Sequence, residues 1–411
     1  MAHATYLVGG AVRDELLGLP VAERDWVVVG STPGAMREQG FRQVGASFPV
    51  FIHPETGEEY ALARTERKQG HGYHGFSVDF HPGVTLEEDL ERRDLTINAM
   101  ARGADGALHD PFGGRADLEA RWLRHVSPAF VEDPLRVLRV ARFAARLAPL
   151  GFRVHPDTLA LMADIVAAGE IEHLVPERAW TELIRAMGEA RPSRFVAVLR
   201  ECGALARWLP EVDALFGVPQ AAEHHPEVDT GEHLLLALDA AAGLGAPADA
   251  VFAVLLHDLG KGLTDPQDWP RHLGHEATGA PRVEAVCARL KAPVVATDLA
   301  VKVCREHLRC HRALELRPGK LMALLEAIDA LRKPDLLEPF LAACEADWRG
   351  RKGRADRPYP QAGRLRRALA AVRAIHARDL DTAGLEGAEI GAALRAARVA
   401  AIAELPVDPA Q

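Results

Sequence analysis

Two carboxylates set two residues apart, Glu23 and Asp25, stand at the start of the apolar run Trp26-Val-Val-Val29. The period-two geometry of a strand turns both toward one face of a sheet, and carboxylates so paired hold divalent cations against a phosphate. Upstream lies Leu7-Val-Gly-Gly-Ala-Val-Arg-Asp14, in which Gly9 and Gly10 break a short strand before a helical stretch at 11–17 that stops at Gly18 and Pro20. A glycine-softened turn into a helix start offers backbone N–H groups to phosphate. Alone, a Gly-Gly turn is usually only a turn, and a strand with two acids is usually a solvated edge. In this order and spacing, the two together equip the chain for metal-assisted nucleotidyl transfer.

Arginine supplies the next chemistry. In Glu132-Asp-Pro-Leu-Arg-Val-Leu-Arg-Val-Ala-Arg-Phe-Ala-Ala-Arg146, Pro134 suits a first helical turn, with Asp133 or Glu132 near the cap. Arg136, Arg139, Arg142 and Arg146 then share about a third of the circumference, by the 100° step of a helix. Beyond Glu132 and Asp133 at the cap, no acidic residue three or four positions away relieves their repulsion, so the stripe is expected to meet an anion. Arg92 and Arg93 precede Asp94, which resembles the N-cap of an apolar helix, and adjacent arginines at such a place suit a triphosphate. The stretch from Arg64 to Phe76, with three glycines and several basic residues, reads as a loop facing something anionic.

A second centre is written in Leu255-Leu-His-Asp-Leu-Gly-Lys-Gly262, where His257 and Asp258 end an apolar helix. His233 opens a helix upstream, and His272, His275, His307 and Asp347 follow downstream. Imidazoles and carboxylates gathered from separate helices suit a transition-metal hydrolytic centre. Near its end the chain carries Trp348-Arg-Gly-Arg-Lys-Gly-Arg354, then Arg364, Arg366 and Arg367, a local landing place for phosphates.

The elements that must position these groups divide the chain in two styles. Strand-like runs at 6–8, 26–29, 50–52 and 59–63 alternate with short helices up to about residue 126; from about residue 134 the pattern is helical and rich in Ala, Leu and Arg. The expected fold is therefore α+β: a mixed-sheet head, then an all-α neck, body and tail. The expected divisions are 1–126 for the head, 127–229 for a neck that selects nucleotide and binds RNA, 230–331 for the second centre, and 332–411 for the tail. A length of 411 residues allows several domains, and a net charge of −9 argues against a uniformly basic nucleic-acid coat while permitting a basic groove. Five cysteines with no C-x-x-C pair suit a reducing compartment, and neither a signal peptide nor a membrane-length apolar run is seen. The expectation is a cytoplasmic protein, a monomer or weak homodimer.

Taken together, the motifs at 7–14, 92–99 and 132–143 and the His-Asp centre resemble those of bacterial CCA-adding enzymes. These are class II tRNA nucleotidyltransferases, and the branch most similar is that of the multifunctional CCA proteins, which carry an HD domain. The resemblance runs over nearly the whole chain. It implies a head of the polymerase β type acting on tRNA with CTP and ATP. Gly10, Arg13 and Arg93 match positions that hold the triphosphate, and Glu23 and Asp25 match the Mg2+ ligands, with Glu23 standing where many relatives carry Asp. Asp133 and Arg136 match the pair that reads the Watson–Crick edge, and Arg139 and Arg142 match further nucleotide contacts. Cytosine and adenine both set an amino donor beside an acceptor, whereas uracil and guanine do not, so one carboxylate and one guanidinium can make the selection. For the HD centre the resemblance implies a divalent metal, nickel by preference, on His233, His257, Asp258 and Asp347, with His307 a further candidate. The implied activities there are 2′-nucleotidase, phosphatase and 2′,3′-cyclic phosphodiesterase.

Three rival readings remain. A poly(A) polymerase-like adenylyltransferase shares the head motifs, but the HD motif and the lack of a long basic extension count against it. A stand-alone HD nucleotide phosphohydrolase would leave the Glu23/Asp25 pair and the arginine stripe without use. A non-catalytic RNA-binding protein would have no need of either centre.

Overall fold

The strand-like runs pair into one mixed sheet of seven. Residues 3–44, 50–68, 76–381 and 383–406 are described by the structure, a computed structural model. The sheet comprises β1 (Ala4–Val8), β2 (Asp25–Val29), β3 (Arg42–Val44), β4 (Val50–Ile52), β5 (Glu59–Leu62), β8 (Ala101–Gly103) and β9 (Leu108–His109), while β6 (Thr65–Lys68) and β7 (Phe76–Asp79) form a separate antiparallel hairpin. Spatial order is β3-β4-β5-β2-β1-β8-β9, with β2 and β5 parallel and the other neighbours antiparallel. Three successive valines in β2 require cover on both faces. Val27 packs in a cluster with Val8, Leu90 and Ala101, and Val28 in another with Met36, Phe51 and Leu62. Asp25 lies two residues before Val27 and so shares its face.

The first helices are short: α1 (Gly10–Leu16), α2 (Pro33–Glu38), α3 (Leu86–Glu91) and α4 (Gly114–Ala120). Thereafter the chain is almost wholly helical: α5 (Leu135–Leu147), α6 (Pro156–Ala167), α7 (Pro176–Met187), α8 (Pro192–Glu201), α9 (Ala204–Trp208) and α10 (Pro210–Asp213). Then come α11 (Thr230–Gly243), α12 (Ala248–Leu256), α13 (His275–Arg289), α14 (Val294–His311), α15 (Pro318–Ala327), α16 (Leu337–Arg349), α17 (Pro360–Ala374) and α18 (Gly387–Ala403). The α+β class read from the sequence is the class observed. Two compact units result, Met1–Glu182 with Val198–Trp208, and Leu183–Ala197 with Leu209–Gln411.

In the second unit α11, α12, α14 and α16 pack on one another, with α13 against α14. Every residue of α12 from 250 to 256 is buried, as expected of a helix that is apolar all round and forms the centre of a bundle. His257 is the residue that caps its C-terminus.

Two local expectations change. The apolar helix after Asp94 is only a one-turn 3-10 helix, Thr96–Asn98, capped by Leu95, and the Asp94 carboxylate accepts from the Leu95 N–H and the Asn98 amide. The arginine helix begins one residue after Pro134, which serves as its N-cap, while Asp133 lies outside the helix and accepts from the Leu135 N–H at 3.1 Å. Of the loop from Arg64 to Phe76, residues 65–68 and 76 belong to the β6–β7 hairpin, and residues 69–75 lie outside the described residues.

Candidate nucleotidyl-transfer and metal centres

In the first unit the two acidic residues stand at the mouth of the sheet. β2 begins at Asp25, and Glu23 lies just before it; both are exposed. Partial burial pushes the Asp25 carboxyl up, the Arg93 guanidinium pulls it down, and Glu23 pushes it up again, for a net rise. Mutual destabilisation of this kind is relieved by a cation. The register adds a third acid: Glu59 of β5 is the direct partner of Asp25, and paired residues of neighbouring strands point to the same face. Its place opposite Asp25 is a property of strand pairing, which local sequence does not display.

The glycine turn is shaped by its neighbours. Gly9 has φ +69°, a left-handed backbone that favours glycine, and a Cβ there would approach Arg93 Nη1 to 2.9 Å and push the guanidinium aside. Arg93 is tied to the buried Asp89 at 3.1 Å, yet its buried Nε–H has no hydrogen-bond partner. Gly10 starts α1. Arg13 is buried: its Nε–H donates to Asp14 at 2.8 Å, its Nη1 donates to Asn98 at 2.6 Å, and it lies over the Phe143 ring. Burial pulls its pKa down despite Asp14.

The arginine stripe of α5 does meet anions, but protein ones drawn from distant segments. Arg139 Nε donates to Asp94 at 2.8 Å and Arg139 Nη1 to Glu182 at 3.3 Å. Arg142 Nε donates to Glu182 at 2.6 Å, and Arg146 reaches Asp14 at 2.9 Å. Asp94 is buried; desolvation works to raise its pKa, but Arg139, Asn98 and Arg136 outweigh it and hold the carboxyl far below the usual range. Arg136 spreads its fork over two backbone carbonyls, Ala129 at 3.0 Å and Arg92 at 2.5 Å, and Asp133 accepts from Arg178 at 2.9 Å. Glu182 and Arg178, both on α7, were not singled out in the sequence, because nothing local marks them.

The second unit gathers six imidazoles and three carboxylates. His257, His275 and His307 each commit Nδ1 to backbone carbonyls: Val254 at 2.7 Å, His272 at 2.7 Å, and Val303 and Cys304 at 3.1 and 3.0 Å. Since a carbonyl only accepts, Nδ1 carries the proton, and Nε2 of a neutral ring is a lone pair. The three Nε2 atoms face Asp258 at 3.1, 3.3 and 3.7 Å. Acceptor therefore meets acceptor, and His257 Nε2, Asp258 Oδ1 and His275 Nε2 are buried without hydrogen-bond partners. A cation turns that repulsion into ligation, and these separations suit donors sharing an ion at about 2.0–2.2 Å. Asp347, on α16, stands at Oδ1 3.0 Å from His233 Nε2 and at Oδ2 2.6 Å from His311 Nε2. Lys261 Nζ donates to Asp258 Oδ2 and Gln220 Oε1, both at 2.6 Å. Burial pushes His307 well below its ordinary pKa, whereas Asp258 outweighs burial at His257 and raises it.

Three groups of donors result, each with its atoms within 4.8 Å of one another: His233, His257 and Asp347; Asp258, His275 and His307; and His225, Glu227 and His233. All of the sequence-derived candidates His233, His257, Asp258, Asp347 and His307 lie in this cluster. His225, Glu227 and His311 were missed. His311 carried a usable signal, since it falls four residues after His307 on the same face of α14. His272 instead bonds Thr264 and the Pro219 carbonyl. Gly260 explains the Leu-Gly-Lys after the dyad: a Cβ there would run into the His275 backbone carbonyl, so only glycine lets this turn lie against α13.

A mixed sheet with an acidic strand mouth, followed by a helical bundle with a His/Asp cluster, defines a nucleotidyltransferase-type head joined to an HD module. Residues 5–124 match the family described as "Poly A polymerase head domain", residues 151–216 the "Probable RNA and SrmB- binding site of polymerase A", and residues 230–339 the "HD domain". Asp347 lies beyond that last segment. The multifunctional CCA proteins of Alkalilimnicola ehrlichii and Thioalkalivibrio sulfidiphilus are 60% and 61% identical to the chain, over 98% of it and 98% and 99% of their own lengths. The chain belongs to the multifunctional CCA protein family. Its fold is shared with a CCA-adding enzyme from Bacillus stearothermophilus solved in complex with CTP (TM-score 0.68, 24% identity, 98% of this chain and 89% of that one). A CCA-adding enzyme solved with ATP is likewise similar (TM-score 0.63, 19% identity, 97% and 86% covered).

Proposed function

We propose that this chain adds C, C and A in turn to the 3′ end of tRNA from CTP and ATP without a nucleic-acid template, and that its HD centre hydrolyses phosphoesters at damaged RNA ends. The observation that carries the reading is identity of 60% over nearly the full length of a multifunctional CCA protein, with both sets of candidate residues present in one chain.

Glu23 and Asp25 fit a divalent cation because burial and the neighbouring Glu23 together raise the cost of the Asp25 charge; Mg2+ is the ion proposed. When bound, such ions lower the pKa of the attacking 3′-hydroxyl and steady the leaving pyrophosphate. Arg93, with an unpartnered Nε–H beside the Gly9 turn, is assigned to the triphosphate. Gly10 leaves the backbone there open, and Arg13 supports the turn from its buried position. Asp133 and Arg136 are assigned to base selection. Their protein bonds orient both side chains, and the Asp133 carboxylate offers about four acceptor positions for a base amino group. Arg139 and Arg142 are assigned to further nucleotide contacts.

In the HD centre His233, His257, Asp258 and Asp347, with His275 and His307, fit a divalent transition metal by their lone pairs and unpartnered atoms; nickel is the ion proposed. Bound metal would activate water for attack on phosphorus; the P–O ester bond breaks, and the departing oxygen takes the proton. The activities proposed are 2′-nucleotidase, phosphatase and 2′,3′-cyclic phosphodiesterase. Among the described residues no helix is long and apolar enough to cross a membrane, and all five cysteines are buried and unpaired. The unpaired cysteines are compatible with a reducing cytoplasm, the setting proposed, and the state proposed is a monomer or weak homodimer.

Radiolabelled CTP and ATP, each supplied alone to tRNA lacking CCA, test the head. CTP is incorporated if the reading holds, and a strictly ATP-dependent tail would make it a poly(A) polymerase. Asp25→Ala loses at least about a thousandfold, the equivalent of about 4 kcal/mol, with tRNA binding retained; full residual incorporation would refute the assignment. His257→Ala loses metal-dependent phosphohydrolysis and keeps CTP incorporation, whereas joint loss would assign it a structural role.

A further inference from the structure

The turn that follows α16, Arg349-Gly-Arg-Lys-Gly-Arg354, is fastened to the HD cluster at two points. Arg351 Nη2 lies 3.5 Å from Asp347 Oδ1, and the Lys352 N–H donates to Glu227 Oε2 at 3.2 Å. Glu227 is itself 2.9 Å from His233 Nδ1. The turn is thus held by one carboxylate of the cluster and by the carboxylate that braces another of its members.

On this turn two guanidinium groups lie over one indole. The guanidinium carbons of Arg351 and Arg354 stand 5.2 and 4.2 Å from the centroid of Trp348. Arg351 is only 8% exposed, and its buried Nε–H has no partner. Arg354 is half-buried, and among the described residues no carboxylate stands within ion-pair distance of it. Stacking fixes a guanidinium plane and leaves its N–H edge free to take a phosphate in fork geometry. A merely solvated arginine face spreads its charges and satisfies them with water; here they are gathered, stacked and tied beside a hydrolytic centre. Resting on the phosphohydrolase reading of that centre, we infer that Arg354, stacked on Trp348 beside Arg351, forms a second phosphate subsite. The substrate is then an oligoribonucleotide end, with the phosphodiester one nucleotide upstream of the reacting phosphate lying on Arg354, in preference to a mononucleotide.

The test compares three substrates with the full-length protein and Ni2+ or Mg2+: uridine 2′,3′-cyclic phosphate, the dinucleotide ApU 2′,3′-cyclic phosphate, and the same dinucleotide with a neutral methylphosphonate linkage. Wild-type kcat/KM is expected about tenfold higher for the charged dinucleotide than for either of the others, the scale of one charge-assisted hydrogen bond. Arg354→Gln is expected to collapse that ratio toward one through KM, and to flatten the log–log salt dependence of dinucleotide binding by about 0.7; Arg354→Lys restores part of the ratio. Equal rates for the charged and neutral dinucleotides, or a ratio unchanged in Arg354→Gln with normal metal content, would overturn the subsite. If none of the three is hydrolysed by the wild type, the phosphohydrolase reading itself fails, and the subsite with it. The charged-versus-neutral comparison needs no variant and stands even if the substitutions misfold.

Discussion

At the scale of single residues, protonation and orientation decide what the HD cluster can hold. His257, His275 and His307 take their tautomer from backbone carbonyls, but His233 has a carboxylate for this purpose. Glu227 is fully buried at its side chain and stands 2.9 Å from His233 Nδ1 and 3.0 Å from His225 Nδ1. Burial would raise its pKa, yet the two imidazoles and a backbone hydrogen bond hold it well below the usual range. An ionised Glu227 keeps the His233 proton on Nδ1 and frees Nε2 toward Asp347. Glu227→Gln preserves shape and removes the charge; it is expected to weaken Ni2+ affinity about 10- to 100-fold, the usual scale for a carboxylate behind a ligating histidine. Chelator competition measures this, and an unchanged affinity would show that Glu227 serves packing alone.

At the scale of elements, α5 shows how a helix is locked by charge across the first unit. Its arginines reach Asp94 before the 3-10 turn, Glu182 on α7 and Asp14 on α1. Leaving one member of a buried pair alone costs about 3–5 kcal/mol. Arg139 keeps Glu182 and some solvent when Asp94 is replaced, so Asp94→Asn is expected to cost about 3 kcal/mol at neutral pH, the low end of that scale. The folded pKa of Asp94 is depressed, so its contribution is present above the unfolded value of about 3.9 and is lost as pH falls through the folded value. Urea titrations of wild type and variant should therefore differ fully at pH 7 and converge below about pH 4. A difference that stays constant with pH would assign the cost to packing.

At the scale of the whole molecule, the chain is two compact units, each with one candidate centre. Ligand that binds only the folded state stabilises the unit that holds it, by about 2.7 kcal/mol at a hundredfold excess over Kd. Calorimetry should show Ni2+ raising one unfolding transition and leaving the other in place, with His257→Ala abolishing the shift. A uniform rise of both transitions would mean that the units unfold as one. The net charge of −9 is compatible with the proposed phosphate contacts, because Arg93 and the Arg351–Arg354 pair are local clusters and need no basic coat.

Much of this was legible in the sequence by itself. The runs at 6–8, 26–29, 50–52 and 59–63 became β1, β2, β4 and β5 within a residue or two, and the stripe of Arg136, Arg139, Arg142 and Arg146 became one face of α5. Such features depend on side-chain periodicity and on glycine and proline, which act over a few residues. The tertiary structure decided who meets whom. The stripe was expected to face a ligand because no acid beyond the cap lies near it in sequence, yet Asp94, Glu182 and Asp14 reach it from 45, 40 and 132 residues away. Likewise the His257-Asp258 pair announced a metal centre, but the packing of α11, α13, α14 and α16 brought His233, His275, His307 and Asp347 to it, and put Glu227 behind it. Coulomb forces and ligation depend on distance in space; local sequence determines the helix, and only the packing of helices determines which charges share a point.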